Sequence, residues 1–72
     1  MILEVPAEIP GIVIDVMVKP GDEVHIGDSV ALLDSMKMEI PIISDDAGVV
    51  SCVNVRCGER IAAHACAVTL VV

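Results

Sequence analysis

The apolar residues of this 72-residue chain fall in short runs separated by turns, and no run has the 3.6-residue period of a helix. The clearest run has four β-branched residues at every second position: Ile12, Ile14, Val16 and Val18. Side chains alternate between the two faces of a strand, so this spacing predicts one buried face and leaves Asp15 in water. The strand should end at Lys19-Pro20-Gly21-Asp22, because proline and glycine together favour a turn.

The same alternation of runs and turns continues to the end of the chain. Further extended segments are predicted at residues 24–26, 30–33, 40–43, 49–55, around 61 and 66–72. Pro41 lacks a backbone N–H, which restricts its strand to an edge or an irregular pairing. The pattern therefore predicts an all-β protein of seven or eight short strands.

The chain repeats itself at an offset of 37 residues. Residues 11–34 align without a gap on residues 48–71, which pairs Gly11 with Gly48 and Gly21 with Gly58. Two matching halves predict two sheets related by a pseudo-twofold axis and packed as a sandwich. Gly27-Asp28 predicts another turn in the first half. The position matching Gly27 in the second half is His64, so we expect the equivalent turn there to form without a glycine. Residue 37 lies in the connection between the halves, where we expect a hairpin.

Composition excludes several classes of function. The chain has no Phe, Tyr or Trp, so it lacks the aromatic platforms on which single-stranded nucleic acids stack. The chain has a net charge of −7, so the phosphates of a nucleic acid would repel it, which also opposes nucleic-acid binding. No apolar stretch approaches the roughly 20 residues of a membrane-spanning helix. The first residues lack the basic start and apolar stretch of a secretory signal, so we expect a cytoplasmic protein formed by a single domain, residues 1–72.

Cysteine and histidine do not form a convincing metal site. Three cysteines, Cys52, Cys57 and Cys66, contain no pair at the spacing of a zinc ligand motif. An odd number of cysteines also fits reduced thiols better than a disulfide framework. His25 and His64 precede predicted turns and are most simply exposed. The sequence therefore predicts no metal ligands.

One lysine stands between two methionines in the predicted hairpin. Met36 and Met38 flank Lys37 at a place where apolar side chains add nothing to a core. An ordinary solvated lysine is the simplest interpretation of any single lysine. Exposed methionines on both sides instead favour a surface that another protein recognises.

The residues around this lysine carry a resemblance to a known family. Asp34-Ser35-Met36-Lys37-Met38-Glu39-Ile40-Pro41, preceded by residues 18–24 and Gly27-Asp28, resembles the biotinyl domain of biotin carboxyl carrier proteins over nearly the whole chain. The resemblance implies a flattened eight-stranded sandwich, a barrel-sandwich hybrid, with biotin joined by an amide to Lys37. It also implies that a biotin protein ligase reads Met36 and Met38. Asp34-Ser35 stands where Glu-Ala or Glu-Ser is usual, and the gapless repeat leaves no room for the protruding insertion of larger members.

The function implied by this resemblance is that of a non-catalytic carrier. Biotin on Lys37 would be presented to a biotin carboxylase and a carboxyltransferase of an acetyl-CoA or other acyl-CoA carboxylase, the type of system that serves fatty acid biosynthesis. Two alternatives remain open. The first is a lipoyl carrier of the same fold, although lipoyl domains usually have Asp-Lys-Ala where this chain has Met-Lys-Met. The second is an interaction module that keeps the fold and carries no prosthetic group.

Overall fold

A computed structural model describes residues 1–72, and it contains eight β-strands and no helix. The strands are β1 (Ile2–Pro6), β2 (Gly11–Val16), β3 (Glu23–Val24), β4 (Ser29–Ser35), β5 (Met38–Ile43), β6 (Gly48–Val53), β7 (Arg60–Ile61) and β8 (Cys66–Val71). The chain has no helix that could span a lipid bilayer. The all-β fold predicted from the sequence is confirmed.

The strands form two antiparallel sheets that face each other. One sheet has the order β1-β8-β6-β3 and the other the order β5-β4-β2-β7. The core between them consists of valine, alanine, leucine and isoleucine, and its largest fully buried apolar side chains are Leu33, Leu70, Val13, Val24, Val30, Val50 and Val68. At about 25 cal/mol per Å² of apolar surface, burial of each such side chain stabilises the fold by about 2 kcal/mol. The predicted sandwich is therefore held together by an aliphatic core.

Backbone hydrogen bonds repeat between the two halves at the offset seen in the sequence. The N–H of Gly21 donates to the Val50 carbonyl at 2.8 Å, and the N–H of Gly58 donates to the Val13 carbonyl at 2.6 Å. Gly58 is the residue equivalent to Gly21 at the repeat offset, and Val13 is the residue equivalent to Val50, so the two hydrogen bonds are equivalent. Each sheet therefore takes strands from both halves, as a pseudo-twofold axis requires.

The buried face of β2 differs from the sequence prediction. Val13 is fully buried, whereas Ile12 and Ile14 are 37% and 41% exposed. The pairing of β2 with β4 shifts register between Val13 and Asp15, which marks a bulge. A bulge inserts one residue and reverses the alternation beyond it, so Val16 points inward although Ile14 does not. The prediction of one continuous face from Ile12 to Val18 was wrong because it assumed a regular strand.

The edges of the sheets include one strand that the hydrophobic pattern did not identify. β1 pairs with β8 at the edge of one sheet. The equivalent strand at the 37-residue offset is β5, which contains Pro41 and forms an edge of the other sheet. The prediction that Pro41 lies on an edge strand is confirmed. β1 was missed because the alignment of the halves began at Gly11, although the structural repeat also includes the preceding strand.

The turn at His64 confirms the expectation that it forms without glycine. Gly27 has φ of 92° and His64 has φ of 70°, so both occupy the left-handed region. The N–H of Gly27 donates to the Ser44 carbonyl, and the N–H of His64 donates to the carbonyl of Ala7, the residue equivalent to Ser44. The backbone path of the two turns is thus conserved at the expense of strain in His64.

Candidate functional site

Lys37 lies at the tip of the hairpin that joins β4 to β5. Ser35 pairs with Met38, so only Met36 and Lys37 form the loop. Their φ values are 52° and 68°, and two successive positive φ angles define a type I′ turn. The hairpin predicted at the junction of the two halves is therefore present, with Lys37 as its second loop residue.

The turn residues are strained by their own side chains. Type I′ turns usually carry Asn-Gly, because an L-residue with a Cβ in the left-handed region costs roughly 1–2 kcal/mol. Met36 and Lys37 both have such side chains, and neither is asparagine or glycine. Strained backbone conformations of this kind concentrate at functional sites, where the surrounding structure holds them in place. Here the flanking strands β4 and β5 supply that support.

Both flanking methionines are exposed to solvent. Met36 is 93% exposed and Met38 is 64% exposed, while Met17 on the body of the sandwich is 43% exposed. Lys37 between them is also exposed. The tip therefore offers an amine and two thioether side chains that are free to enter the site of another protein.

Two carboxylates lie directly across the hairpin below its tip. Asp34 pairs with Glu39, and both side chains are exposed. Like charges that face each other across two strands destabilise a sheet. The ion pairs of the structure join His25 to Glu23 and Asp28, so neither hairpin carboxylate has a cationic partner. Glu39 was not identified as a feature of the site from the sequence beyond its place in the motif.

An open groove of about 640 Å³ begins beside this hairpin. Its lining comprises Pro10, Gly11, Ile12, Asp34, Ser35, Met36, Arg60, Ile61 and Ala62. A Cβ on Gly11 would lie 2.9 Å from the Asp34 carbonyl oxygen, so the close approach of β2 to β4 here requires glycine. Sequence reasoning missed the groove, because its residues come from three separate segments that only the strand order brings together.

A second groove, of about 410 Å³, occupies the equivalent place in the other half. It is lined by Glu23, Val24, His25, Ala47, Gly48, Val49, Val71 and Val72. Eight of the nine residues of the first groove correspond to these eight at the repeat offset; only Met36 has no counterpart. The hairpin is what distinguishes the two ends, because the chain termini lie where Met36 and Lys37 would be repeated.

The cysteines and histidines lie apart from the hairpin. Cys52 and Cys57 are exposed and Cys66 is half-buried, and no group of three or more potential metal ligands comes together. Asn54 Nδ2 donates to Thr69 Oγ1 at 3.0 Å and to Cys66 Sγ at 3.4 Å, so Cys66 belongs to a side-chain network on the surface of β8. None of these residues forms a hydrogen bond or an ion pair with the Lys37 side chain.

Comparison with known proteins identifies the family of the chain. The sequence profile of the family described as "Biotin-requiring enzyme" matches residues 1–70. The "Biotinylated protein TB7.3 homolog" of Mycobacterium leprae is 48% identical over 60 residues, which are 83% of this chain and 84% of that protein. The "Biotin/lipoyl attachment protein" of Bacillus subtilis is 50% identical over 44 residues, which are 61% of this chain and 60% of that protein.

The fold also matches a solved structure. The urea carboxylase of Kluyveromyces lactis contains a region that superposes on 99% of this chain with a TM-score of 0.91 and 22% identity. At this identity the likeness concerns the fold alone, and the matched region is 6% of the carboxylase chain. Together with the profile match over residues 1–70, these findings show that the chain belongs to the family of biotin/lipoyl attachment domains.

Proposed function

We propose that this protein is a biotin carboxyl carrier whose biotin is joined by an amide to Nζ of Lys37. The observation that carries this proposal is the strained two-residue turn that exposes Lys37 between Met36 and Met38. A turn at the end of two paired strands fixes the direction in which the Lys37 side chain leaves the backbone. A ligase site can then bind the methionines and receive Nζ in one orientation.

The chemistry required of the protein itself is limited to presenting the amine. Nζ must lose a proton to form the amide with activated biotin, the biotinyl adenylate, from which AMP would leave, and the ligase would supply both the activation and the surroundings of this step. Met36 and Met38 would contribute binding surface, since unbranched thioether side chains adapt to apolar pockets. The ligase would meet the uncompensated carboxylates of Asp34 and Glu39 as well, and we propose that basic groups of the partner face them.

When bound, biotin would carry a carboxyl group from one enzyme to another, and those enzymes would catalyse its attachment and its transfer. The partners we propose are a biotin carboxylase and a carboxyltransferase of the acyl-CoA carboxylase type, with acetyl-CoA carboxylase as the example. The chain itself acts as a non-catalytic cytoplasmic carrier. Attachment to a long arm keeps biotin at an effective concentration on the order of millimolar at each partner site, provided that the arm spans the distance.

Co-expression with a biotin ligase and biotin tests this function. We expect the intact mass to increase by one biotinyl group, and peptide mapping to place that group on Lys37. Lys19 provides an internal control, because it is also exposed beside a turn but has no flanking methionines. Biotin on Lys19, or folded protein that takes up no biotin, would contradict the carrier function.

Exchange of Met36 and Lys37 tests whether position matters. The double variant Met36→Lys/Lys37→Met keeps composition and net charge, and both positions are exposed, so the fold should persist. The amine, however, moves to the other loop position and leaves the tip in a different direction. We expect a large fall in the rate of biotinylation. An unchanged rate would show that the ligase needs only an exposed lysine.

A lipoyl carrier is the second candidate. It is supported by the name of the Bacillus subtilis relative, which mentions both groups and which is 50% identical over 44 residues. Replacing Met36 by Asp and Met38 by Ala gives the flanking residues of the lipoyl signal. We expect this variant to be biotinylated poorly and lipoylated better than the parent by a lipoate ligase. Efficient lipoylation of the unchanged parent would favour dual use of Lys37.

A further inference from the structure

The groove beside the hairpin has the chemistry to hold a biotin head group. We propose that the bicyclic ureido ring of biotin attached to Lys37 rests in this groove between visits to its partners. The Arg60 guanidinium would donate to the ureido carbonyl, the Asp34 carboxylate would accept from a ureido N–H, and Ile12 would contact the ring from below. This inference rests on the proposed function, since it requires biotin on Lys37.

The strand register places these three side chains in one row. Ile12 of β2 pairs with Asp34 of β4 on one side and with Arg60 of β7 on the other. All three side chains are exposed, and each is followed or preceded by a buried neighbour, so the row lies on the outer face of the sheet. Neighbouring strands are about 4.8 Å apart, so the backbones that carry the acid and the base are separated by about 10 Å.

That separation suits a ligand with a donor and an acceptor at opposite edges. Asp34 and Arg60 form no ion pair with each other, because the ion pairs of the structure all involve His25. Both side chains therefore remain available. The ureido group has a carbonyl acceptor opposite two N–H donors, so one edge of the ring can accept from Arg60 while the other donates to Asp34, at about 3 Å each, with the ring above Ile12. Hydrogen bonds to charged groups are stronger than those between neutral groups.

The arm is long enough to reach the row. Lys37 lies three residues beyond Asp34, or about 10 Å along the strand, and Ile12 is one strand farther across, which gives about 11 Å in all. The lysine and valeryl chains together extend to roughly 12 Å with bonds of about 1.5 Å. The groove volume of about 640 Å³ is also within the range of small-molecule sites. The head group can therefore lie in the groove without distortion of the hairpin.

The repeat supplies an internal comparison for this assignment. In the second groove, Val71 takes the place of Asp34, Val49 that of Ile12, and Glu23 that of Arg60. At these three equivalent positions, an acid and a base flank an apolar residue only in the groove beside Lys37, although the backbone frame is the same in both.

Nuclear magnetic resonance of the biotinylated protein tests the resting site. We expect nuclear Overhauser effects between ring protons of biotin and the Ile12 methyl groups, and changed Arg60 side-chain shifts relative to the unmodified protein. The variant Arg60→Gln should lose these effects and bind streptavidin about twofold faster, since a ring that is retracted half of the time is accessible only for the remainder. The matched control is Arg56→Gln, which removes an exposed arginine outside the groove and should behave as the parent.

The outcomes separate this inference from the proposed function. Each protein is first shown by intact mass to carry one biotin, so failure at that stage would concern attachment and not the groove. Fully biotinylated parent protein without contacts between the ring and Ile12 would overturn the resting site. The same holds if Arg60→Gln retains those contacts and an unchanged streptavidin rate.

Discussion

The strained turn at the hairpin tip predicts opposite effects of one substitution on stability and on modification. Met36→Gly removes a Cβ from a residue with φ of 52° and thereby relieves about 1–2 kcal/mol of backbone strain. The loss of the side chain costs little burial, because Met36 is 93% exposed. Glycine makes the unfolded chain more flexible, which opposes folding by about 0.4–1 kcal/mol. We therefore expect the free energy of unfolding to rise by about 0.5–1 kcal/mol.

The expected gain in stability is large enough to measure. For a chain of this size, 1 kcal/mol corresponds to about 4–8 °C in Tm, so an increase of roughly 2–8 °C is expected. Calorimetry or far-ultraviolet circular dichroism is the appropriate measurement, because the chain has no aromatic residue to report by fluorescence. The rate of biotinylation should fall at the same time, since the ligase loses the Met36 side chain while Lys37 stays in place.

His64→Gly is the matched control for this prediction. His64 has φ of 70° and is exposed, but it lies outside the hairpin. Its replacement should give a similar rise in Tm and leave the rate of biotinylation unchanged. A lower Tm for both variants would refute the reasoning from backbone strain. A fall in biotinylation for both would show that the rate follows overall stability and not recognition of Met36.

Two further predictions concern the sandwich itself, and both are measured by thermal or urea unfolding. Val13→Ala should lower the free energy of unfolding by about 2 kcal/mol and Ile14→Ala by less than about 1 kcal/mol, because only Val13 is fully buried; equal losses would contradict the assignment of Val13 and not Ile14 to the buried face of β2. Gly11→Ala and Gly48→Ala should both be destabilising, because each new Cβ would lie 2.9 Å from the carbonyl of a residue that is paired on both sides, Asp34 or Val71. A loss at Gly11 alone would show that the end of β8 yields although it is paired on both sides.

Local signals in the sequence were sufficient to predict the general fold. The 37-residue repeat predicted two related halves, and the glycine and proline positions predicted most of the turns. Pro41 identified an edge strand because a missing N–H has the same consequence in any sheet. These predictions held because each depends on backbone chemistry that is carried by a single residue or a short segment.

Features that depend on register could not be predicted in this way. The bulge in β2 moved Ile12 and Ile14 to the outer face, and no residue in that segment signals where a strand gains its extra position. The groove beside Lys37 could not be predicted for a related reason, because only the pairing of β7 with β2 brings Arg60 to it. The strain at Met36 and Lys37 was also invisible, because neither residue type favours positive φ.

The position of the chain termini bears on how such a carrier can be rebuilt. The N–H of Val72 donates to the Met1 carbonyl at 3.0 Å, and the terminal amino group of Met1 lies 3.2 Å from the Val72 carbonyl oxygen. Adding 37 to Met1 and subtracting 37 from Val72 gives Met38 and Ser35, the pair that closes the hairpin. Two inserted residues would therefore suffice to join the ends, and the chain could be reopened in the loop at Asp45-Asp46. A circular permutant with Met-Lys as the inserted link would present a second lysine, on the other sheet, in the same Met-Lys-Met context as Lys37.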